Sequence, residues 1–398
     1  MTLRFLSAGE SHGPALSVIL DGFPAGIRVD TALISSEMLR RQSGYGAGPR
    51  MKMETDQVEI LSGVMSGVTT GAPISLLIRN ANHEKWKGKG IPAFTTPRPG
   101  HADLTGAVKY GYEDFRPALE RASARETAAR TAVGAFCKMF LACFNIRVGG
   151  YVRSIGEIDA DLEKMSLVER LDLAGRNDLN CPDDIAAGQM RERIRQAMEN
   201  RDTVGGTFEV VALGVPIGLG SYSQWDKRLD ARLGGALLSI PAVKGVEIGP
   251  AFENCRMPGT QVHDPIFLDG ESLVRRSNRA GGIEGGISNG QPILLHAAMK
   301  PIASTLTPQP TVDLASKQEI GTVYERSDFC PVPRAVVVAE AMTAFVLADA
   351  LLEKLGGDSV NEMKPRFDAL RKARIQDLPM VNGDHLYWLE NNNSENNV

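Results

Sequence analysis

Two stretches of alternating apolar and polar residues are written in nearly the same way. Residues 17–27 read SVILDGFPAGI, an alternating strand ended by Gly-Phe-Pro-Ala-Gly, and residues 208–219 read FEVVALGVPIGL, ended by Gly-Val-Pro-Ile-Gly. After each comes a run of helical spacing that opens on aspartate, at 30–41 and 230–240, and then a short strand, at 58–63 and 246–250. SGVTTGAPISLLI (66–78) and GGISNGQPILLHA (285–297) carry two glycines and a proline at the same spacing before an apolar strand. DFRPALERA (114–122) is echoed by DFCPVPRA (328–335), and each leads into a long apolar helix, the second stopped by Gly356 and Gly357. Matches in one order at a separation of roughly 200 residues predict an internal duplication. The related halves are read as about 9–150 and 204–357.

A helix that is apolar nearly all round must be covered on every side, and an alternating strand has one core face. The pattern therefore predicts an α+β fold, a single pseudo-symmetric domain over 1–389 with long core helices between antiparallel sheets. Between the halves, 155–203 is charged and reads as one surface helix capped near Asp184. The polar tail 390–398 is expected to be disordered.

The stretch 114–145, DFRPALERASARETAARTAVGAFCKMFLACFN, reads as the mouth of a buried helix. Ser123 and Glu126 have the spacing of a capping box, and Asn145 with Gly149 and Gly150 reads as the stop. Arg116, Arg121, Arg125 and Arg130 crowd its start, where free amides and the positive end of the helix dipole attract anions. A capped helix with solvated arginines gives the same pattern.

Composition narrows the chemistry. The chain has 398 residues, 43% hydrophobic and 23% charged, and can bury a large core. A net charge of −4 argues against a nucleic-acid surface, so local arginine clusters point to small anions. The start, MTLRFLSAGESHG, has no signal-like apolar segment, and the later apolar runs read as too short to span a membrane, so a cytoplasmic protein is expected. Cys137, Cys143, Cys181, Cys255 and Cys330 are odd in number and form no CxxC, which fits free thiols, several of them packing residues. No metal-ligand spacing, Walker A or GxGxxG sequence occurs.

Four long segments, 40–53, 80–103, 250–281 and 299–328, read as functional loops. They hold Arg41, Arg50, Arg98, His101, Lys300, Ser304, Arg326 and Asp328. GESHG (9–13) satisfies G-x-S-x-G, which would make Ser11 a hydrolase nucleophile on a strand-to-helix elbow; Pro14 and the alternating ALSVIL that follow do not fit it. His12 beside it is better placed as a general acid.

GESHG, RRQSGYGAGPRMKME (40–54), RPGHADL (98–104), ERASARETAAR (120–130), DTVGG (202–206), PAVKGVEIG (241–249), GGISNG (285–290), KPIAS (300–304) and RSDFCPVPRA (326–335) together resemble the chorismate synthases. The resemblance implies a β-α-β sandwich, a homotetramer, and elimination of phosphate and a C6 proton from 5-enolpyruvylshikimate 3-phosphate with reduced FMN. By motif position it implies that Arg41, Arg50, Arg98, Arg125 and Arg326 hold substrate charges and that His12 protonates the departing phosphate. Reduced flavin would lend an electron, its N5 would take the proton with Asp328 as relay, and His101 would sit at the flavin ring. Asp328 could at the same time cap a helix. FMN would be held by Arg121, Ala122, Ser123, Pro241, Ala242, Gly286, Lys300, Pro301, Ile302, Ala303, Ser304 and Arg326, and would be reduced elsewhere, with NADPH as reductant of a separate flavin reductase. The chain departs from the pattern at Ala47, where many members carry arginine, and at Ala303, where proline or serine is frequent. A non-catalytic flavin- or anion-binding protein on the same fold is the other reading.

Overall fold

The computed structural model describes residues 2–48, 56–325 and 327–384, so Arg50, Arg326 and the tail 390–398 lie outside the described residues. Strands β1 (Arg4–Ala8) and β2 (Ala15–Asp21) pair antiparallel, and helix α1 (Thr31–Gln42) follows. Asp30 starts α1 by accepting the amides of Ala32 and Leu33 on its carboxylate. Strands β3 (Val58–Ser62) and β4 (Ile74–Arg79) complete a four-stranded sheet in the order β1-β2-β4-β3. A short helix α2 (Arg116–Arg121) and a 3₁₀ turn (Ala124–Glu126) lead into the long helix α3 (Thr127–Ala142).

The chain then builds a second sheet. It contains β5 (Arg147–Ile155), β6 (Ile158–Asp159), β7 (Gly206–Leu213), β8 (Val243–Ile248) and β9 (Ile293–Met299), in the order β8-β9-β7-β5-β6. Helix α4 (Leu229–Leu238) joins β7 to β8, and the 24-residue α5 (Val332–Leu355) closes the fold. Both sheets share one path. β2 runs through α1 to β3 and returns as β4 between its predecessors; β7 runs through α4 to β8 and returns as β9.

Alternation decides which faces meet. Leu16, Val18 and Leu20 of β2 and Ile74, Leu76 and Ile78 of β4 are buried on one face, where α3 packs. Helix α5 packs on β5 and β7 of the second sheet and on α3, so the two long helices lie against each other with a sheet on either side. By length and composition α5 would cross a membrane, contrary to the reading that no run is long enough. Its most apolar window is 89% buried inside the protein, which makes it a core helix.

Several local expectations are corrected. Gly149 and Gly150 do not stop α3: the chain turns at Asn145, with φ +58°, and both glycines lie inside β5. A Cβ on Gly150 would stand 2.8 Å from the Glu209 carbonyl and 2.9 Å from Val336, so glycine lets β5 press against β7 and α5. The segment between the halves carries two helices, Leu167–Ala174 behind a Ser166–Glu169 capping box and Asp184–Glu199 behind Asp183. The segments 250–281 and 299–328 are not structureless, because each holds a hairpin.

Candidate active site

The starts of both long helices open onto one cavity of about 880 Å³. From the 3₁₀ turn that leads into α3 come Ser123, Ala124 and Arg125, and from the approach to α5 and its first turn come Ser327, Asp328, Pro331 and Arg334. Two positive helix ends facing one space favour an anionic occupant. The expected capping box does not close. Ser123 accepts the Arg125 amide at 3.3 Å and donates its hydroxyl to Ser11 at 3.2 Å, while Glu126 turns to Arg130 at 2.9 Å. A 3₁₀ turn brings the Arg125 amide, one residue nearer than a capping box requires, under the serine hydroxyl.

Arg41, at the end of α1, and Arg125 reach the cavity from opposite sides of Asp56, which pairs with the first at 3.0 Å and the second at 2.5 Å. Arg41 is only 2% exposed and also donates to Thr127 and the Ala124 carbonyl. Burial, with Arg334 and Arg125 nearby, pushes it down to about 9 from an ordinary 12.5. Cationic groups held this way are a seat for a further negative charge.

Arg98 and His101 share one anchor. Asp103, fully buried, takes the Arg98 guanidinium at 2.8 and 2.9 Å and His101 Nδ1 at 2.6 Å. Burial alone would raise that carboxyl, yet the bonds from Arg98 and His101 hold it well below the usual range. Arg98 also donates to Ser304 at 3.1 Å. His12 lines the cavity at the turn after β1, with Glu120 at 2.7 Å from its Nδ1 and Trp86 tilted against its ring at 4.2 Å between centroids.

Asp328 is no helix cap; Pro331 stands at the cap of α5. The Asp328 carboxylate accepts the Gly48 amide at 2.8 Å and forms an ion pair with Arg334, whose Nε donates to the Arg41 carbonyl. This ties the glycine-rich segment after α1 to the start of α5.

Arg121, Ala122, Pro241 and Ala242 form another wall with Lys300, Ile302, Ala303 and Ser304. Ala242 has φ +69°, a left-handed backbone that costs an alanine about 1 kcal/mol or more. Among the described residues, two predicted positions are not in this lining. Pro301 is exposed between Lys300 and Ile302. Gly286 sits in a hairpin turn and accepts the Leu229 amide at the start of α4, whereas Pro241 follows the end of that helix. Ten residues at 1.5 Å each put about 15 Å between the two ends.

Sequence reading missed Asp56, Trp86, Asp103, Glu120 and Arg334. Only Asp103 had a local signal, three residues after Pro-Gly in RPGHAD, beside the histidine it holds. The hydrolase reading of Ser11 fails on geometry. Ser11 lies between two antiparallel strands, with β2 where an elbow requires a helix.

A family model described as chorismate synthase matches residues 3–352. The chorismate synthase of Chlorobaculum tepidum is 50% identical over 390 residues, covering 93% of this chain and 98% of that protein. That of Geobacter sulfurreducens is 48% identical over 383 residues, covering 92% and 98%. A crystal structure of chorismate synthase superposes with a TM-score of 0.77 at 44% identity, covering 92% of this chain and 97% of the other.

Proposed function

Because the chain belongs to the chorismate synthase family, we propose that the cavity between the two helix starts is where it binds 5-enolpyruvylshikimate 3-phosphate and reduced FMN. The protein is a carbon–oxygen lyase of the shikimate pathway that forms chorismate by eliminating phosphate. The observation that carries the site assignment is the convergence of Arg41, Arg98 and Arg125 with two carboxylate-held histidines on one cavity. The substrate brings a phosphate and two carboxylates, about three and a half to four negative charges at neutral pH. Arg41 and Arg125, buried on Asp56, carry guanidinium forks suited to the phosphate and carboxylates of such a ligand.

The residues present fit a flavin mononucleotide. Leu119, Met299, Ile302 and Ala303 offer apolar surface for a planar ring, while Arg121 and Lys300 offer donors for a phosphate beside Ser123. Ala122, Pro241, Ala242 and Ser304 complete that wall, and Arg50 and Arg326 are assigned to the ligands by motif alone. Reduced flavin, when bound, supplies the electron density that the family's elimination depends on. His12 would give a proton to the departing phosphate, Asp328 would relay the C6 proton, and His101, anchored by Asp103, would help to hold the flavin.

The finer architecture belongs to the same reading: an internally duplicated β-α-β sandwich, one domain over 1–389, assembled as a cytoplasmic homotetramer that receives flavin reduced by an NADPH-dependent reductase. The shared strand path supports the duplication. Leu6 and Ile19, cross-strand partners on the outer face of the first sheet and 74% and 48% exposed, support a partner chain there. The test is an anaerobic assay with the phosphorylated substrate. Phosphate release is expected only with reduced FMN; release indifferent to flavin, or none with it, sinks the reading.

A further inference from the structure

We infer that Glu120 is a positioning residue for His12, fixing which imidazole nitrogen faces the ligand and holding the turn that carries it. The inference rests on reading His12 as the acid for phosphate departure. Glu120 stands near the end of α2, and three of its oxygens act on the same turn. Its carbonyl accepts the Ser11 amide at 3.2 Å, its Oε2 accepts the His12 amide at 2.7 Å, and its Oε1 lies 2.7 Å from His12 Nδ1.

A carboxylate can only accept, so Nδ1 carries the hydrogen in that contact and Nε2 becomes the nitrogen presented to the cavity. The other sides of the turn are held as well. Trp86 lies against the imidazole at 4.2 Å and an interplanar angle of 33°, and its indole also meets the Arg116 guanidinium at 5.8 Å. His83 Nδ1 approaches the His12 carbonyl at 3.1 Å, and Asn80 donates to the carbonyls of Glu10 and Gly13. Burial works against the charge on Glu120, but its bonds from His12 hold the carboxyl below the ordinary value, so it stays ionised and accepting at neutral pH.

The role differs from that of a general base, since the Glu120 carboxylate acts on the imidazole and its turn and not on the ligand. It matches the way a carboxylate orients a metal-bound histidine through its far nitrogen, where loss of the partner costs about 10–100-fold.

The test compares Glu120→Gln with the unchanged enzyme, using FMN-loaded protein under anaerobic conditions. Glu120→Gln is expected to lower kcat for phosphate release by about 10–100-fold, with KM and FMN affinity within about two-fold. Nitrogen-15 histidine solid-state spectra, with His12 assigned by its absence in His12→Gln, are expected to lose the signature of a protonated, carboxylate-bonded Nδ1. Added to His12→Gln, the Glu120 change is expected to slow turnover no further. An unchanged His12 signal, an unchanged kcat, or equal slowing in the His12→Gln background overturns the inference. Full turnover in His12→Gln alone would refute the acid role instead, and the spectra would still decide whether Glu120 holds the ring. If Glu120→Gln does not fold, Glu120→Asp, one methylene short of His12, is expected to show the same split between kcat and KM in smaller measure.

Discussion

Gly134 of α3 and Ala341 of α5 touch where the two long helices cross: a Cβ added to Gly134 would stand 2.2 Å from the Ala341 Cβ and 2.4 Å from its Cα. A glycine inside a helix ordinarily costs about 1 kcal/mol against alanine. Here it permits a close approach of the two helices whose starts form the site. Gly134→Ala should therefore destabilise the protein, since the clash with backbone outweighs the gain in helix propensity; overpacking costs about 1–3 kcal/mol. Urea unfolding is the measurement, and equal or greater stability in the variant would contradict the account. Splaying the helix starts is also expected to weaken FMN binding.

The same helices carry a buried charge network. Glu340, fully buried on α5, takes Arg40 at 2.7 Å and Lys138 at 2.5 Å, and Glu37 closes the ring with the same two cations. Burial would raise the Glu340 carboxyl, but Lys138 and Arg40 lower it to about 2 from 4.5. A carboxylate depressed in the folded state stabilises fully above its unfolded value, and that contribution is lost as pH falls through the folded one. Stability should thus drop between pH 4.5 and about 2. Glu340→Gln should remove about 3–5 kcal/mol at neutral pH, because two cations lose a buried partner, and should flatten the acid limb. An acid limb as steep as that of the unchanged protein would argue against the assignment.

What could be read in the sequence divides by range of interaction. The β2 and β7 strands, the Asp30 cap and the two apolar helices follow from local pattern, because burial on one face imprints a period on the chain. β5 did not announce itself: its glycines read as a stop until β7 and α5 were packed against them. In the site, arginines and histidines stood out by residue type, whereas their carboxylate partners did not. Glu120 is one acidic residue in a helical stretch, 108 positions from the histidine it holds, and Asp56 serves Arg41 and Arg125 from a separate segment. Acidic residues at such positions are usually solvated, and only the folded chain separates the exceptions.

Asp328 is assigned the proton relay while it is paired with Arg334 and bonded by the Gly48 amide. Asp328→Asn keeps an acceptor for Gly48 and removes the ionisable group. Turnover is expected to fall by about 100-fold or more, with FMN still bound. A flavin titration beside the anaerobic rate separates the two effects, and full turnover would reject the relay. Arg334→Lys, which keeps charge but not the fork, should lower turnover less than Asp328→Asn.

Asp103 offers the sharpest separation of anchor from ligand contact, because its side chain is fully buried while the two groups it holds, Arg98 and His101, line the cavity. Asp103→Asn keeps shape and one acceptor but cannot receive both the guanidinium fork and the imidazole as an anion. Arg98 then loses a bidentate partner and His101 the bond that orients its ring. If Arg98 binds substrate and His101 stands at the flavin, the single change should raise substrate KM and lower kcat together, each by about 10-fold or more. His101→Asn should lower kcat with a smaller effect on KM, since Arg98 keeps its anchor. Steady-state kinetics under anaerobic conditions with reduced FMN checks both variants. An Asp103→Asn enzyme that matches the unchanged protein in both constants would show that Arg98 and His101 keep their places without it, and the shared-anchor account would fall.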